Sequence, residues 1–138
     1  MSHVTSPTLQ TVHADHSRIG LIALWAVQLA LAAMFLLAGG SKLARAPAMI
    51  ALFDGVGIGQ WFRYVTGLIE VGSAVTLLVP SIAPFGALAL VATMTGAVLT
   101  HLFIVGGSPM VTAVLLVGSL TVAWVRGDQI SSALSRIR

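Results

Sequence analysis

Residues 19–40 read IGLIALWAVQLALAAMFLLAGG and contain no charged side chain. A helix needs about 20 apolar residues to cross the roughly 30 Å hydrocarbon core of a bilayer, and this stretch is long enough. Further along the chain, residues 64–125 contain a single charged side chain, that of Glu70. The distribution of charge therefore predicts an integral membrane protein, with the bilayer as the solvent for most of the chain.

The composition of the whole chain supports this prediction. Of the 138 residues, 57% are hydrophobic and 8% are charged, whereas an ordinary soluble domain has about 25% charged residues. A small soluble domain needs a large polar surface, which this chain cannot provide. The sequence has no cysteine, which excludes disulfides, thiolate nucleophiles and thiolate metal sites.

The basic residues indicate a membrane rather than a nucleic acid as the partner. The net charge of +3 and the sequence pI of about 10.7 also occur in proteins that bind nucleic acid. Here, however, Lys and Arg are scattered at the ends of the apolar segments, as in residues that anchor helices at a membrane surface. We therefore expect contact with membrane lipid and none with nucleic acid.

Glycine and proline divide the apolar part of the chain into four predicted helices. The first ends at Gly39 and Gly40, the second ends before Pro80, and a turn at 106–108 separates the last two. The predicted spans are 19–40, 61–79, 85–105 and 109–125. They predict an all-α fold, an integral membrane four-helix bundle.

This bundle is expected to form one domain, residues 18–126, with a segment on either side. Residues 1–17 are polar and lack a periodic apolar pattern, so we expect a flexible tail, and residues 127–138 are expected to form a short basic tail. Between the first two spans, residues 47–53 (PAMIALF) are too few to cross a membrane and too apolar for a solvated loop. They predict a short interfacial or re-entrant half-helix that ends at residues 54–55.

Three ionisable side chains lie within or beside the apolar segments, those of Lys42, Glu70 and His101. All three are near the side of the bundle that carries the long 42–60 connection, with Glu70 about 13 Å deep at 1.5 Å per residue. Side chains lean towards the N-terminus of their helix, so Lys42 and His101 lean inward and Glu70 leans outward. These directions predict that the three groups share one pocket beneath the connection.

An isolated carboxylate inside a membrane is costly unless it is paired or neutralised. Glu70 is therefore expected either to be protonated or to pair with a basic side chain of the pocket, with Arg63 as another candidate partner. Thr66 and Thr100 flank the predicted pocket and could complete its hydrogen bonds. An alternative is that the pair only fixes the register of the helices, and Gln28 is expected to form an interhelical hydrogen bond.

Three segments of the chain resemble the DoxX-like family of small bacterial membrane proteins. Residues 35–43 (FLLAGGSKL) are similar to the end of that family's first helix, and residues 67–71 (GLIEV) are similar to its second. The third helix of the family is matched by Gly86, Ala87, Met94, Ala97 and His101. The resemblance covers about residues 31–126 and implies a four-helix membrane bundle with a link to respiratory or detoxifying redox systems.

The resemblance and the predicted pocket together favour an accessory subunit of a quinone-linked or detoxifying membrane redox complex, since quinone reduction couples electrons to protons. We predict no metal site and no bound cofactor, with a quinone as the ligand that the resemblance allows. The expected partners are redox-enzyme subunits and a second copy of the chain. Three alternatives remain open: a structural or assembly role, a small proton-coupled transporter, and a lipid-modifying membrane enzyme that uses Glu70.

The Lys and Arg residues near the spans indicate the orientation. An even number of spans places both termini on one side, together with Arg18, Arg126, Arg136 and Arg138. The opposite side has Lys42, Arg45 and Arg63. Because positively charged flanks favour the cytoplasm, we expect both termini in the cytoplasm. The resemblance to a bacterial membrane family implies that this membrane is the inner membrane of a bacterial cell.

This orientation is tested by a reporter that is active only outside the cytoplasm. Fused after Arg138, the reporter should be silent, because the C-terminus is expected on the cytoplasmic side. Strong reporter activity at this position would reverse the predicted orientation of all four spans.

Overall fold

The apolar segments of the chain form α-helices, as the sequence predicts. A computed structural model describes residues 7–137, without the side chains of residues 7–16, 129, 130, 132 and 133. The helices are α1 (Pro7–Leu43), α2 (Pro47–Val56), α3 (Gln60–Leu77), α4 (Ala83–Thr100), α5 (Met110–Val125) and α6 (Gly127–Ile137), and a π-helical turn, His101–Val105, follows α4. No β-strand occurs between residues 7 and 137, so this part of the chain is all-α, as predicted.

Two segments of the described chain, Ser17–Leu43 and Ala83–Val105, are long and apolar enough to cross a membrane. Helix α5 is apolar but has only 16 residues. Helix α3 has 18 residues and includes two charged side chains, Arg63 and Glu70, both of which are buried inside the bundle. The outer surface of α3 is therefore more apolar than the composition of the whole helix suggests.

The four longer helices pack side by side in the order α1, α3, α4, α5, and α5 makes a smaller contact with α1. Large apolar side chains, including Phe35, Leu77 and Leu90, fill the space between them. The outer surface is also apolar, with side chains such as Leu37 and Leu68 exposed. Because soluble monomers rarely expose extended apolar surface, a bundle that is apolar both inside and outside suits a lipid environment.

At both ends, the described chain is helical beyond the four predicted spans. Helix α1 begins at Pro7, so residues 7–17 are helical where the sequence led us to expect a flexible tail. Adding turns to an existing helix is much easier than nucleating one, and proline is tolerated in a first helical turn. Residues 1–6, the rest of that expected tail, lie outside the described residues, and the predicted basic tail contains α6.

The half-helix predicted between the first two spans is α2. It starts at Pro47, whose missing N–H is not needed in a first turn, and it ends at Val56, slightly later than predicted. Gly57 then takes up a left-handed conformation, with φ of 78°, that ends the helix. Phe53 is buried and anchors α2, because its ring contacts that of Phe62 on α3 at a centroid distance of 6.0 Å.

Helices α1 and α3 approach each other closely at a pair of glycines. A Cβ atom added to Gly39 would lie 2.8 Å from the carbonyl oxygen of Gly67 and 2.8 Å from a methyl group of Val71. Small residues at helix contacts allow this kind of close backbone approach in membranes. The contact lies one turn before Lys42, so it also brings the end of α1 close to the middle of α3.

This contact predicts that Gly39→Ala destabilises the protein. The added methyl group must displace α3 or its own helix, and such overpacking costs about 1–3 kcal/mol. Gly40→Ala is the matched control, because a Cβ atom at Gly40 meets nothing within 4 Å. Thermal unfolding in detergent should show a lower Tm for Gly39→Ala and an unchanged or higher Tm for Gly40→Ala. Equal Tm values for the two variants would contradict the close contact.

Candidate functional site

The centre of the candidate site is an ion pair between α1 and α3. Lys42 lies in the last turn of α1, and its Nζ atom donates hydrogen bonds to both carboxylate oxygens of Glu70, at 2.9 and 2.7 Å. Glu70 is buried near the middle of α3, and Lys42 is largely covered. Of the candidate partners that the sequence suggests for this carboxylate, the structure places Lys42 beside it.

The surroundings of the pair make each member dependent on the other. An ionised carboxylate or ammonium in an apolar interior carries a desolvation cost of several kcal/mol. The two-pronged contact of Lys42 with Glu70 offsets that cost, and the position of Lys42 adds a favourable interaction with the negative C-terminal end of α1. Removal of one member would leave the other as an isolated buried charge.

Arg63 is the second buried cation near the pair, but it does not contact Glu70. Its Nε atom donates to the side-chain oxygen of Gln60 at 2.7 Å, and its Nη1 atom donates to the carbonyl oxygen of Lys42. The guanidinium also lies 4.3 Å from the centre of the Tyr64 ring. Arg63 therefore caps the C-terminal end of α1, where carbonyl groups have no partner within the helix.

Gln60 connects this cluster to α2. Its Nε2 atom donates to the carbonyl oxygen of Ile50 at 3.0 Å and to a carboxylate oxygen of Asp54 at 2.7 Å. Because its Oε1 atom accepts from Arg63, the amide has partners on both α2 and α3. A continuous set of hydrogen bonds thus leads from exposed Asp54 through Gln60 and Arg63 to the end of α1.

His101 does not join the ion pair. It begins the π-helical turn, and its Nδ1 atom lies 3.3 Å from the carbonyl oxygen of Gly106. The contact between Gly86 and Thr76 sets the register of the antiparallel helices α4 and α3. Gly86 and Thr76 lie at the same level, and His101 on α4 and Glu70 on α3 both lie beyond them in the same direction. At a rise of 1.5 Å per residue, His101 lies about 13 Å further along the bundle axis than Glu70. The lean of a side chain covers only part of that distance, so the structure corrects the predicted three-membered pocket to a pair.

Thr66 and Thr100, which flank the predicted pocket in sequence, hydrogen-bond within their own helices. Each hydroxyl donates to a backbone carbonyl oxygen of the preceding turn, at 3.1 Å for Thr66 and 2.8 Å for Thr100. This is a common way to satisfy a hydroxyl in an apolar helix. Among the described residues, neither threonine hydrogen-bonds to Glu70.

A second buried polar cluster lies at the opposite end of the bundle. Gln28 donates to the carbonyl oxygen of Leu77 at 2.7 Å, and its own amide oxygen accepts from Arg126 Nε at 2.9 Å. Arg126 also donates to the carbonyl oxygen of Pro80 at 3.4 Å and lies over the Trp25 ring. The predicted interhelical role of Gln28 is confirmed. The part played by Arg126 was missed, although its place at the end of the fourth span was a signal for it.

The weak contact between α1 and α5 leaves a groove of about 410 Å³ on that side of the bundle. Its lining is apolar and includes Val27, Leu31 and Met34 of α1 and Met110 and Val114 of α5. The groove fits a hydrocarbon chain, and none of its lining side chains is charged. It is thus formed by a different pair of helices from the one that holds Lys42 and Glu70.

The described residues contain no group of three His, Cys, Asp or Glu side chains that could hold a metal ion. Every buried side-chain nitrogen and oxygen among them has a hydrogen-bond partner. The buried side-chain groups of both polar clusters therefore find their hydrogen-bond partners within the chain.

Comparison with known proteins identifies related sequences at the level of a family. The sequence model described as the DoxX-like family matches residues 26–125, more than two thirds of the chain. No curated protein and no solved structure matches the chain. The matched region includes α2, α3, α4 and α5, the cluster around Lys42 and Glu70, and the part of α1 that carries Gln28 and Lys42, and it ends one residue before Arg126.

The mutual dependence of the ion pair predicts a double-mutant effect. Lys42→Met leaves Glu70 without a cation, and breaking a buried pair in this way costs about 3–5 kcal/mol. Adding Glu70→Gln to Lys42→Met removes the stranded charge and should restore most of the lost stability. The free energy of unfolding in detergent measures both effects. Thr95→Val, which removes an exposed hydroxyl bonded within its own helix, is the control and should change little.

The outcome that contradicts the pair is simple additivity. If the double variant loses as much stability as the two single variants together, Lys42 and Glu70 do not depend on each other.

Proposed function

The chain belongs to the DoxX-like family, and on this premise we propose that it is a four-helix protein of the bacterial inner membrane. In this proposal α1, α3, α4 and α5 each cross the bilayer. Their side-by-side packing and their apolar outer surfaces support it. The 16 residues of α5 extend about 24 Å, a mismatch that a membrane accommodates by local thinning or by anchors at the helix ends.

Both termini lie in the cytoplasm in this proposal, so the two polar clusters lie near opposite membrane surfaces. The cluster of Lys42, Glu70 and Arg63 is on the outer side, where α2 covers the end of the bundle. The cluster of Gln28 and Arg126 is on the cytoplasmic side. The excess of basic residues beside the termini supports this orientation.

The proposed activity is that of an accessory subunit in a quinone-linked or detoxifying membrane redox complex. The observation that carries it is the buried pair of Lys42 and Glu70, an acid and a base in direct contact inside the bundle. Ionisable residues within a membrane are rare, and they commonly mark proton or substrate pathways. Quinone chemistry in a membrane requires such proton-carrying groups close to the site of electron transfer.

The groups that the chain provides for quinone binding and for electron transfer favour an accessory rather than a catalytic role. The chain has no cysteine and so no thiolate-bound redox metal. The groove between α1 and α5 suits an isoprenoid tail, but its apolar lining provides no side-chain donor for a quinone ring. In the proposed complex, partner subunits hold the quinone ring and transfer the electrons, and this chain supplies the protonatable pair.

A structural or assembly role is the second candidate, and one observation favours it. The buried polar atoms of the described residues all have partners within the chain, as expected for a cluster that only fixes the packing of α1 on α3. In that case the charges of Lys42 and Glu70 matter for stability, and an uncharged pair of the same shape would serve equally well.

The stable double variant Lys42→Met with Glu70→Gln distinguishes these two roles. Each variant is produced at matched abundance in cells that lack the natural chain. The measurement is quinol-dependent oxygen uptake by membrane vesicles from these cells. For a redox accessory subunit, the natural chain and Thr95→Val should restore uptake, whereas the double variant should leave it at the level of the deletion. Restoration by the double variant would establish the structural role instead. Vesicles without the chain that respire normally would overturn the redox proposal.

A further inference from the structure

The C-terminal helix α6 begins at a fixed point at the end of the bundle. The backbone leaves the α5 conformation at Arg126, where φ is −97° and ψ is 9°. The side chain of Arg126 is held by Gln28 and by the carbonyl oxygen of Pro80. Helix α6 therefore starts where α5 ends, and the break at Arg126 separates the two helices.

The sequence of α6 is amphipathic. Its apolar residues are Ile130, Ala133, Leu134 and Ile137, a spacing of three and four residues that predicts one face of a helix. Leu134 is 59% exposed and Ile137 is 84% exposed, so the bundle does not cover this face at those positions. With 11 residues, α6 is too short to cross a membrane, and an amphipathic helix of this kind is suited to an interface.

The position of α6 indicates which surroundings suit its apolar face. Trp124, one turn before α6, is 87% exposed at the end of a proposed membrane span, which is where tryptophan marks the boundary between acyl chains and headgroups. Arg136 lies in the last turn of α6 and Arg138 follows it, so the end of the helix is basic. Basic residues at this level attract anionic headgroups.

We propose that α6 is a membrane-surface helix that lies at the headgroup boundary, with Leu134 and Ile137 in the acyl region and Arg136 beside the phosphates of anionic phospholipids. The inference rests on the proposed placement of α5 across the membrane. It adds a lipid-binding element outside the four-helix bundle and outside both polar clusters.

The absence of cysteine from the chain allows a direct test with single labels on the full-length protein. A cysteine-linked environment-sensitive fluorophore is placed by Leu134→Cys, and by Ser135→Cys as the neighbouring control on the polar side of α6. Leu120→Cys, on the exposed apolar surface of α5, serves as a reference within the membrane. The proteins are reconstituted into phosphatidylcholine vesicles and into vesicles of equal parts phosphatidylcholine and phosphatidylglycerol, with bromine atoms near the glycerol end of the acyl chains as quenchers.

The expected result is quenching of the label at Leu134→Cys severalfold stronger than at Ser135→Cys. The difference should increase with phosphatidylglycerol and should decrease when Arg136→Gln is added. Equal quenching at the two positions, with the Leu120→Cys label quenched, would overturn the inference alone. A label at Leu134→Cys that neither brominated lipid nor a water-soluble quencher reaches would also overturn it, because protein would then cover the face. An unquenched label at Leu120→Cys would instead refute the proposed membrane placement of α5.

Discussion

The buried carboxylate of Glu70 needs a cation beside it, and the packing of the helices depends on this requirement. Glu70 lies within an apolar bundle, and the cost of an unpaired charge there exceeds what any single apolar contact returns. Lys42 meets this need only because the end of α1 lies directly against α3. The glycine contact of Gly39 with Gly67 allows that approach, so the close packing of the two helices and the ion pair support each other.

The charges near the pair are also arranged around helix ends. Lys42 occupies the last turn of α1, and Arg63 donates to a carbonyl group of the same turn. At the other end of the bundle, Arg126 and Gln28 bond to carbonyl oxygens at and just after the end of α3. In both places buried basic or amide groups satisfy carbonyls that a helix leaves free. Polar contacts therefore join the helices at both ends of the bundle, with apolar packing between them.

Much of the fold follows from the sequence because charge is so scarce in it. A single carboxylate among some sixty residues had few basic groups within reach, so depth and direction limited its candidate partners to Lys42, His101 and Arg63 but did not choose among them. The place of His101 was not predictable, because it depends on the register of α4 against α3, which the contact of Gly86 sets. The bridging role of Gln60 was also hidden, since it requires the position of α2 over α3.

The bond between Gln28 and Arg126 joins residues 98 positions apart, and this separation orders the events of synthesis. At about 5–20 residues per second, the arginine leaves the ribosome several seconds or more after the amide that it binds. The amide gains its first partner, the carbonyl of Leu77, when α3 is in place. Its oxygen acquires the partner that it has in the finished protein only after α5 has been synthesised. The first two long helices can thus assemble early around Glu70, while closure of the other end awaits the completion of the chain.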